Sequence, residues 1–343
     1  MTATRESAIA SNDLVENDRD NSSNQGTWQK LRAITTRPWW PWLMHALKFA
    51  FFIGVTYLIV TQARTVHWDE VLVAIKEKPL TGLWLAGAFA IGSHLLYSCF
   101  DLLGRYVTEH GLPKLRVVMI TLISYAFSLN LGTLVGGAGF RFRLYSRFGL
   151  DAKTITRVIV TSMFTNWFGY CLLAGLAFGL SPLKLPPDWK IDNIGMHVIG
   201  ITLIVVAIAY LVLCAFANGR SWTIKGHPLT VSSLRFSLLQ LVMSCTNWML
   251  MAGVLYVLFE QKIAYTDVLC VFLVAAIAGV ITHVPGGLGV TESVFVGFLS
   301  YQMPSKDLLA ALLIFRTIYY FIPLGMATIT YLVVEARLGT KKT

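Results

Sequence analysis

Six stretches, at 43–62, 81–103, 152–180, 194–217, 236–259 and 308–336, each run for twenty residues or more with few charges. A helix crossing the roughly 30 Å hydrocarbon core needs about 20 apolar residues, so each stretch predicts a full span. Lipid offers no hydrogen bonds to exposed backbone, so spanning elements must be helices or strands of a closed barrel. Unbroken apolar runs of this length specify helices. Composition agrees, since 55% of the 343 residues are hydrophobic and only 13% charged, against about 25% charged in a soluble domain. The expected fold class is all-α, a polytopic integral membrane helical bundle.

Residues 1–36 are polar and predict a disordered cytoplasmic tail with no cleavable signal. A transmembrane domain over 37–338 follows, entered through the aromatic belt of Trp39, Trp40 and Trp42, and 339–343 form a short cytoplasmic end. The segment 65–79 sets apolar residues among charges, as in an amphipathic helix on the membrane surface. A net charge of +10 fits Lys and Arg in cytoplasmic loops facing anionic lipid, not nucleic acid. Cys99, Cys171, Cys214, Cys245 and Cys270 lie in apolar segments without CxxC spacing. They read as small buried hydrophobes, neither disulfides nor metal ligands, and no metal or cofactor is expected.

Orientation follows from positive charge. Lys30, Arg32 and Arg37, then Arg105, Lys114 and Arg116, then Arg220, Lys225 and Arg235, and finally Arg337, Lys341 and Lys342 all favour the cytoplasm. Both termini are therefore expected inside, and 181–192, where Asp188 and Asp192 balance two lysines, outside. Arg141, Arg143, Arg147, Lys153 and Arg157 place 139–157 inside as well. The segment 117–138 then begins and ends on one side and is too short to cross twice. It predicts a re-entrant hairpin turning at Asn130 and Gly132, which tolerate irregular backbone. The same parity makes 268–302 start and end outside, with "HVPGGLG" at the break; two short full spans satisfy it equally. The expectation is about six full spans plus two re-entrant or broken hairpins, about eight membrane segments.

An internal echo pairs the two regions: "VGGAGFR" at 135–141 and "PGGLGVTE" at 285–292. Gly136, Gly137 and Gly139 in the first, and Pro285, Gly286, Gly287 and Gly289 in the second, are assigned to the breaks. Helices broken from opposite faces expose backbone groups that bind polar substrates at depth, although small residues also permit tight packing.

Ionisable side chains in apolar surroundings carry the strongest chemical signal, because an unpaired charge in lipid is expensive. These are Asp101, His283, Glu292 and Arg316, with Arg141 and Arg143 beside the first glycine cluster. Arg316 lies about 15 Å into the last helix and needs a partner, Glu292 or Asp101. A structural ion pair and a translocation pathway both account for it. Asp101 and Arg105 are spaced as an i,i+4 pair. His283 stands before a turn, as a structural residue or a proton relay. Asn166 and Asn247, each before a Trp, suit interhelical hydrogen bonds. Arg141, Arg143, Arg147 and Arg157 suit either a bound phosphate or an ordinary cytoplasmic loop. HExxH, GxSxG and P-loop motifs are missing, so no enzyme activity is expected.

At "GGAGFRFRLYSRFGL" (136–150), "TNWFGY" (165–170) and "HVPGGLGVTESVF" (283–295) the chain resembles the YbhN-like membrane proteins, a branch of the lysylphosphatidylglycerol synthase transmembrane family. "VHWDEV", "CFDLLGRY" and "RTIYYFIPL" agree, so the resemblance covers nearly everything after about residue 40. Bifunctional members flip an aminoacylated phospholipid with the membrane domain and make it with a cytoplasmic one. The chain ends at Thr343, so the aminoacyl-transfer domain and its activity are not expected. The resemblance implies a lipid-handling module of the bacterial inner membrane. A basic residue commonly precedes the Glu of the PGGxG motif; Thr291 stands there here.

The resulting expectation is a phospholipid translocase (flippase-like) or an accessory to phospholipid or cardiolipin transport. Arg141 and Arg143 would meet an anionic headgroup, and Asp101, His283, Glu292 and Arg316 would line its track. Anionic phospholipids are the expected partners, with a homo-oligomer or other envelope proteins besides. The alternatives are a membrane-embedded enzyme using Glu292 and His283 as acid and base, and a non-catalytic assembly partner.

Overall fold

The computed structural model describes residues 73, 75, 76, 78–180, 193–217, 221–224, 227–230 and 232–339. The expected tail, the span at 43–62 with its aromatic entry, most of 65–79 and the loop at 181–192 lie outside the described residues.

Helix starts follow local chemistry. Pro79, Pro113 and Pro304 stand just before α1 (Leu80–Thr108), α2 (Lys114–Leu131) and the ninth helix, where a missing N–H removes no helical hydrogen bond. After α3 (Phe140–Arg147), Asp151 Oδ2 accepts from the backbone of Lys153 and Thr154 and caps α4 (Ala152–Leu180). The helix α5 (Asn193–Ala217) leads to a short antiparallel hairpin, β1 (Ser221–Ile224) and β2 (His227–Thr230). Ser233 then caps α6 (Leu234–Leu258). The rest is α7 (Tyr265–Thr282), α8 (Val290–Leu299), α9 (Ser305–Arg316) and α10 (Ile322–Gly339). The β-hairpin, in the loop whose Arg220, Lys225 and Arg235 favour the cytoplasm, is the one departure from an all-helical architecture among the described residues.

Seven of these helical stretches are long and apolar enough to cross a membrane, α2 and α7 among them. Gly132 (φ 85°, ψ 164°) ends α2 in a conformation open essentially to glycine alone. A π-helical limb, Thr133–Gly139, then runs into α3 antiparallel to α2, with Phe127 stacked on Phe140. Tyr125 stacks on Tyr97 of α1 at 3.6 Å. Gly132 is thus level with about residue 90 of α1, which continues roughly 15 Å beyond the tip. The chain thus reverses at Gly132, part-way along α1.

Gly136, Gly137 and Gly139 do not share in that break, and the expectation is corrected. They are helical and mark a close crossing: a Cβ at Gly136 would collide with the Phe127 carbonyl, and one at Gly137 would sit 2.9 Å from Ser128 Oγ. In the second hairpin the glycines are the break. His283 caps α7 in the left-handed region, and Gly286, Gly287 and Gly289 all have positive φ. With ten residues, α8 is about 15 Å long, half a bilayer core. Gln302 Nε2 donates to Asp267 Oδ2 at 3.1 Å and ties the start of α7 to the end of α8.

The last span is itself interrupted by a π-helical turn, Thr317–Phe321, between α9 and α10. That turn packs against α1 and α2, and α2 also packs on the Pro285–Gly287 turn. Three irregularities in three chain segments therefore meet in the middle of the bundle. A polar network ties the π turn to α1, α2 and α6: Ser93 Oγ donates to Asn247 Oδ1 (2.8 Å), and Tyr319 Oη lies 2.6 Å from Ser93 and 3.0 Å from Tyr125 Oη.

At the Leu80 end, Lys78 and Lys262 both bind Glu260. Their hydrogen bonds hold its carboxyl at about 2, below its ordinary 4.5. A depressed carboxylate pKa stabilises the fold above the ordinary value and ceases to as pH falls through the folded one, here between about pH 5 and pH 2. The thermal midpoint is expected to drop over that window. Glu260→Gln should flatten the drop slightly, because the group is a third exposed and screened; an unchanged slope would refute the assignment.

Candidate functional site: two clamped hairpins

Each hairpin is held by an arginine that binds both a carboxylate and a glycine carbonyl. In the first, Arg141 is 3% exposed and Asp101, on α1, is 0%. Arg141 Nε donates to Asp101 Oδ2 (2.9 Å) and Oδ1 (3.2 Å), and Nη2 donates to Oδ1 (3.1 Å). Nη1 reaches the Gly137 carbonyl at 3.4 Å, and Tyr145 Oη donates to Oδ2 at 3.0 Å. The forked geometry is one only Arg provides. Asp101 therefore pairs with Arg141, not with Arg105 one turn on; Arg105 Nε donates to the Leu112 carbonyl.

In the second hairpin the roles are exchanged, with glycines and carboxylate on the hairpin and arginine on the neighbouring helix. Arg316, 5% exposed, donates from Nε and Nη2 to the two oxygens of Glu292. Its Nη1 donates to the Gly286 carbonyl (2.8 Å) and Nη2 also to that of Gly287 (2.9 Å). Carbonyls freed by the Pro-Gly-Gly turn thus find their donor in the residue that starts the π turn. A residue missing its i→i−4 partner in lipid must be satisfied this way. His283 stays exposed, with Nδ1 near the Ile281 carbonyl (2.9 Å), and joins neither clamp.

Arg143 and Arg147 behave differently from Arg141. Both bind Glu335 near the end of α10, with side chains 24% and 33% exposed. Two guanidiniums share one carboxylate, and both Arg143 Nε and Glu335 Oε2 lack a partner. Here two cations face a single carboxylate, unlike the one-to-one pairing of Arg141 with Asp101. Asn130 Nδ2 donates to the Ala126 and Tyr320 carbonyls and binds the first tip to the last span. Asn247 accepts from Ser93, whereas Asn166 serves α6 through its backbone carbonyl, which accepts from Ser244 and Trp248. No group of three His, Cys, Asp or Glu side chains among the described residues could hold a metal.

Sequence reasoning missed Tyr145, Glu335, His94 and the Ser93–Tyr319–Tyr125 network. Their only sequence signal is polar residues within apolar spans, and that does not say which face they occupy.

Together these features define a polytopic membrane protein built on two opposed, arginine-clamped hairpins. The chain belongs to the lysylphosphatidylglycerol synthase transmembrane family, whose model, the "Lysylphosphatidylglycerol synthase TM region", matches residues 45–327. It is 43% identical over 303 residues to the inner membrane protein YbhN of Escherichia coli K12, covering 88% of this chain and 95% of that one. An uncharacterized protein of Synechocystis is 31% identical over 313 residues, 88% of this chain and 92% of its own. The phosphatidylglycerol lysyltransferase of Staphylococcus haemolyticus is 28% identical over 300 residues, which is 84% of this chain but 34% of that longer protein.

Proposed function

We propose that the protein moves a phospholipid across the bacterial cytoplasmic membrane, with both termini inside, and catalyses no covalent step. The observation that carries this reading is the meeting of two opposed hairpin tips at the π turn of the last span. Helix breaks of opposite entry mark midplane binding sites in transporters, and π turns inside helices cluster at functional positions. The matched part of the staphylococcal lysyltransferase adds support, since its name specifies phosphatidylglycerol. An anionic headgroup would meet Arg143 and Arg147 first, because Arg141 is fully engaged by Asp101.

Glu292→Gln keeps the shape of the second clamp and weakens its ion pair; Arg316→Lys keeps the charge and removes the fork. Both proteins are expected to lose about tenfold or more in the translocation of labelled phosphatidylglycerol in proteoliposomes. Wild-type rates in both would sink the proposed track. Lipid mass spectrometry after incubation separates transport from headgroup chemistry by Glu292: any new lipid species made by the purified protein refutes the non-enzymatic reading.

A further inference from the structure

A long apolar groove lies beside the hairpins. It has a volume of about 780 Å³ and is walled by one face each of α1, α2 and α10. It runs from Leu80 and Trp84 at one end of α1 to Leu115 at the start of α2, passing Ile123 and Met326. Since α1 and α2 are antiparallel, the groove extends across most of the membrane. Apart from the indole of Trp84, only His94 and Thr330 bring polar side-chain atoms to the wall.

Two observations show that this is more than a seam in the bundle. The first is charge at its mouth. Thr330 is the last α10 residue of the wall, and Glu335, with Arg143 and Arg147 on it, is five residues or about 7.5 Å further along the same helix. Leu115 is flanked by Lys114 and Arg116, all exposed. The end of the track at Leu115 and Thr330 therefore lies near Lys114, Arg116, Arg143 and Arg147, with Glu335 about 140° round α10 from Thr330. The second is His94, buried at mid-depth, with Nδ1 at the Ala90 carbonyl (3.0 Å), its ring against Tyr125 and Tyr319, and Nε2 without any partner in the protein. A groove that only sheltered hydrocarbon would need no hydrogen-bonding wall there.

The geometry points to this groove as the binding site of a membrane phospholipid with an anionic headgroup: its phosphate lies on Arg143 and Arg147, displacing Glu335, and one acyl chain lies along α1, α2 and α10. The phosphate matches two guanidinium forks, and the chain matches the apolar wall. The inference rests on the translocation reading for its direction of travel, but the site stands or falls by its own test.

The full-length protein is reconstituted in vesicles containing phosphatidylglycerol or phosphatidylcholine with the same diazirine-bearing acyl chain. After illumination, label is expected on peptides around Ile123 and Met326, with about tenfold preference for phosphatidylglycerol, the equivalent of one charge-assisted contact. Arg143→Gln with Arg147→Gln should abolish the preference. Met326→Trp, at a position 66% exposed where the indole has room, should cut labelling by both lipids about tenfold by filling the groove. Equal labelling by the two lipids, label placed elsewhere, or indifference to Met326→Trp would overturn the site. So would a photoreactive residue at 326 that crosslinks protein in place of lipid. Labelling as expected without translocation in the same vesicles upholds the site and refutes the transport reading; translocation without labelling does the reverse.

Discussion

Arg141→Ala is expected to destabilise the protein by about 3–5 kcal/mol, the range for removing one partner of a buried ion pair. Asp101 is completely buried and takes four hydrogen bonds, three from Arg141 and one from Tyr145. Without the guanidinium its charge is left with a single hydroxyl donor. Either the carboxyl takes up a proton or α1 parts from α3; both raise the free energy of the fold. Most single substitutions lose far less. The loss should appear as a shift of about 5 °C in thermal unfolding by size-exclusion in mild detergent. A second variant separates the ion pair from general packing. Asp101→Leu with Arg141→Leu removes both charges together, and replacing a buried pair by apolar residues is often neutral. The double variant is therefore expected to recover most of the stability. A single variant as stable as wild type would mean that water reaches Asp101.

The turn of the chain within 117–138 was legible in the sequence because Lys and Arg place both its flanks on one side and it is too short to cross twice; for 268–302 the same parity suited a hairpin and two short spans alike. Depth alone narrowed the partner of Arg316 to Glu292 or Asp101, since a charge about 15 Å into a helix has few partners within reach, and the fold brings Glu292 to it. Asp101 was misread for the opposite reason. Arg105 stood one turn away and offered a local explanation, while Arg141 is forty residues distant and comes close only when α3 folds back beside α1. The two glycine clusters look alike in composition and differ in backbone. Gly286, Gly287 and Gly289 need positive φ, whereas Gly136 and Gly137 need only the absence of a side chain. Period and composition cannot distinguish those two uses. The groove was hidden for a related reason, since its wall joins faces of α1, α2 and α10 that only the folded bundle brings together.

Gly136→Ala tests the second of those uses and should give the other large effect. The added methyl would overlap the Phe127 carbonyl carbon and oxygen and the Ser128 nitrogen. None of these is the free end of a side chain that can swing away. The π-helical limb must then lift from α2, breaking the Phe127–Phe140 stack and loosening Arg141, which hangs from the next turn. Overpacking commonly costs 1–3 kcal/mol, and here the loss should reach about 3 kcal/mol because a clamp is disturbed as well. Gly297→Ala, on α8 with nothing within 4 Å of the new methyl, is the control. Alanine is the better helix former by about 1 kcal/mol, so that protein should match or exceed wild type. If Gly136→Ala behaved like Gly297→Ala, the two limbs would not be packed backbone to backbone. The first hairpin would then depend more on its polar ties, Arg141 and Asn130 first among them, and the loss from Arg141→Ala would have to be correspondingly larger.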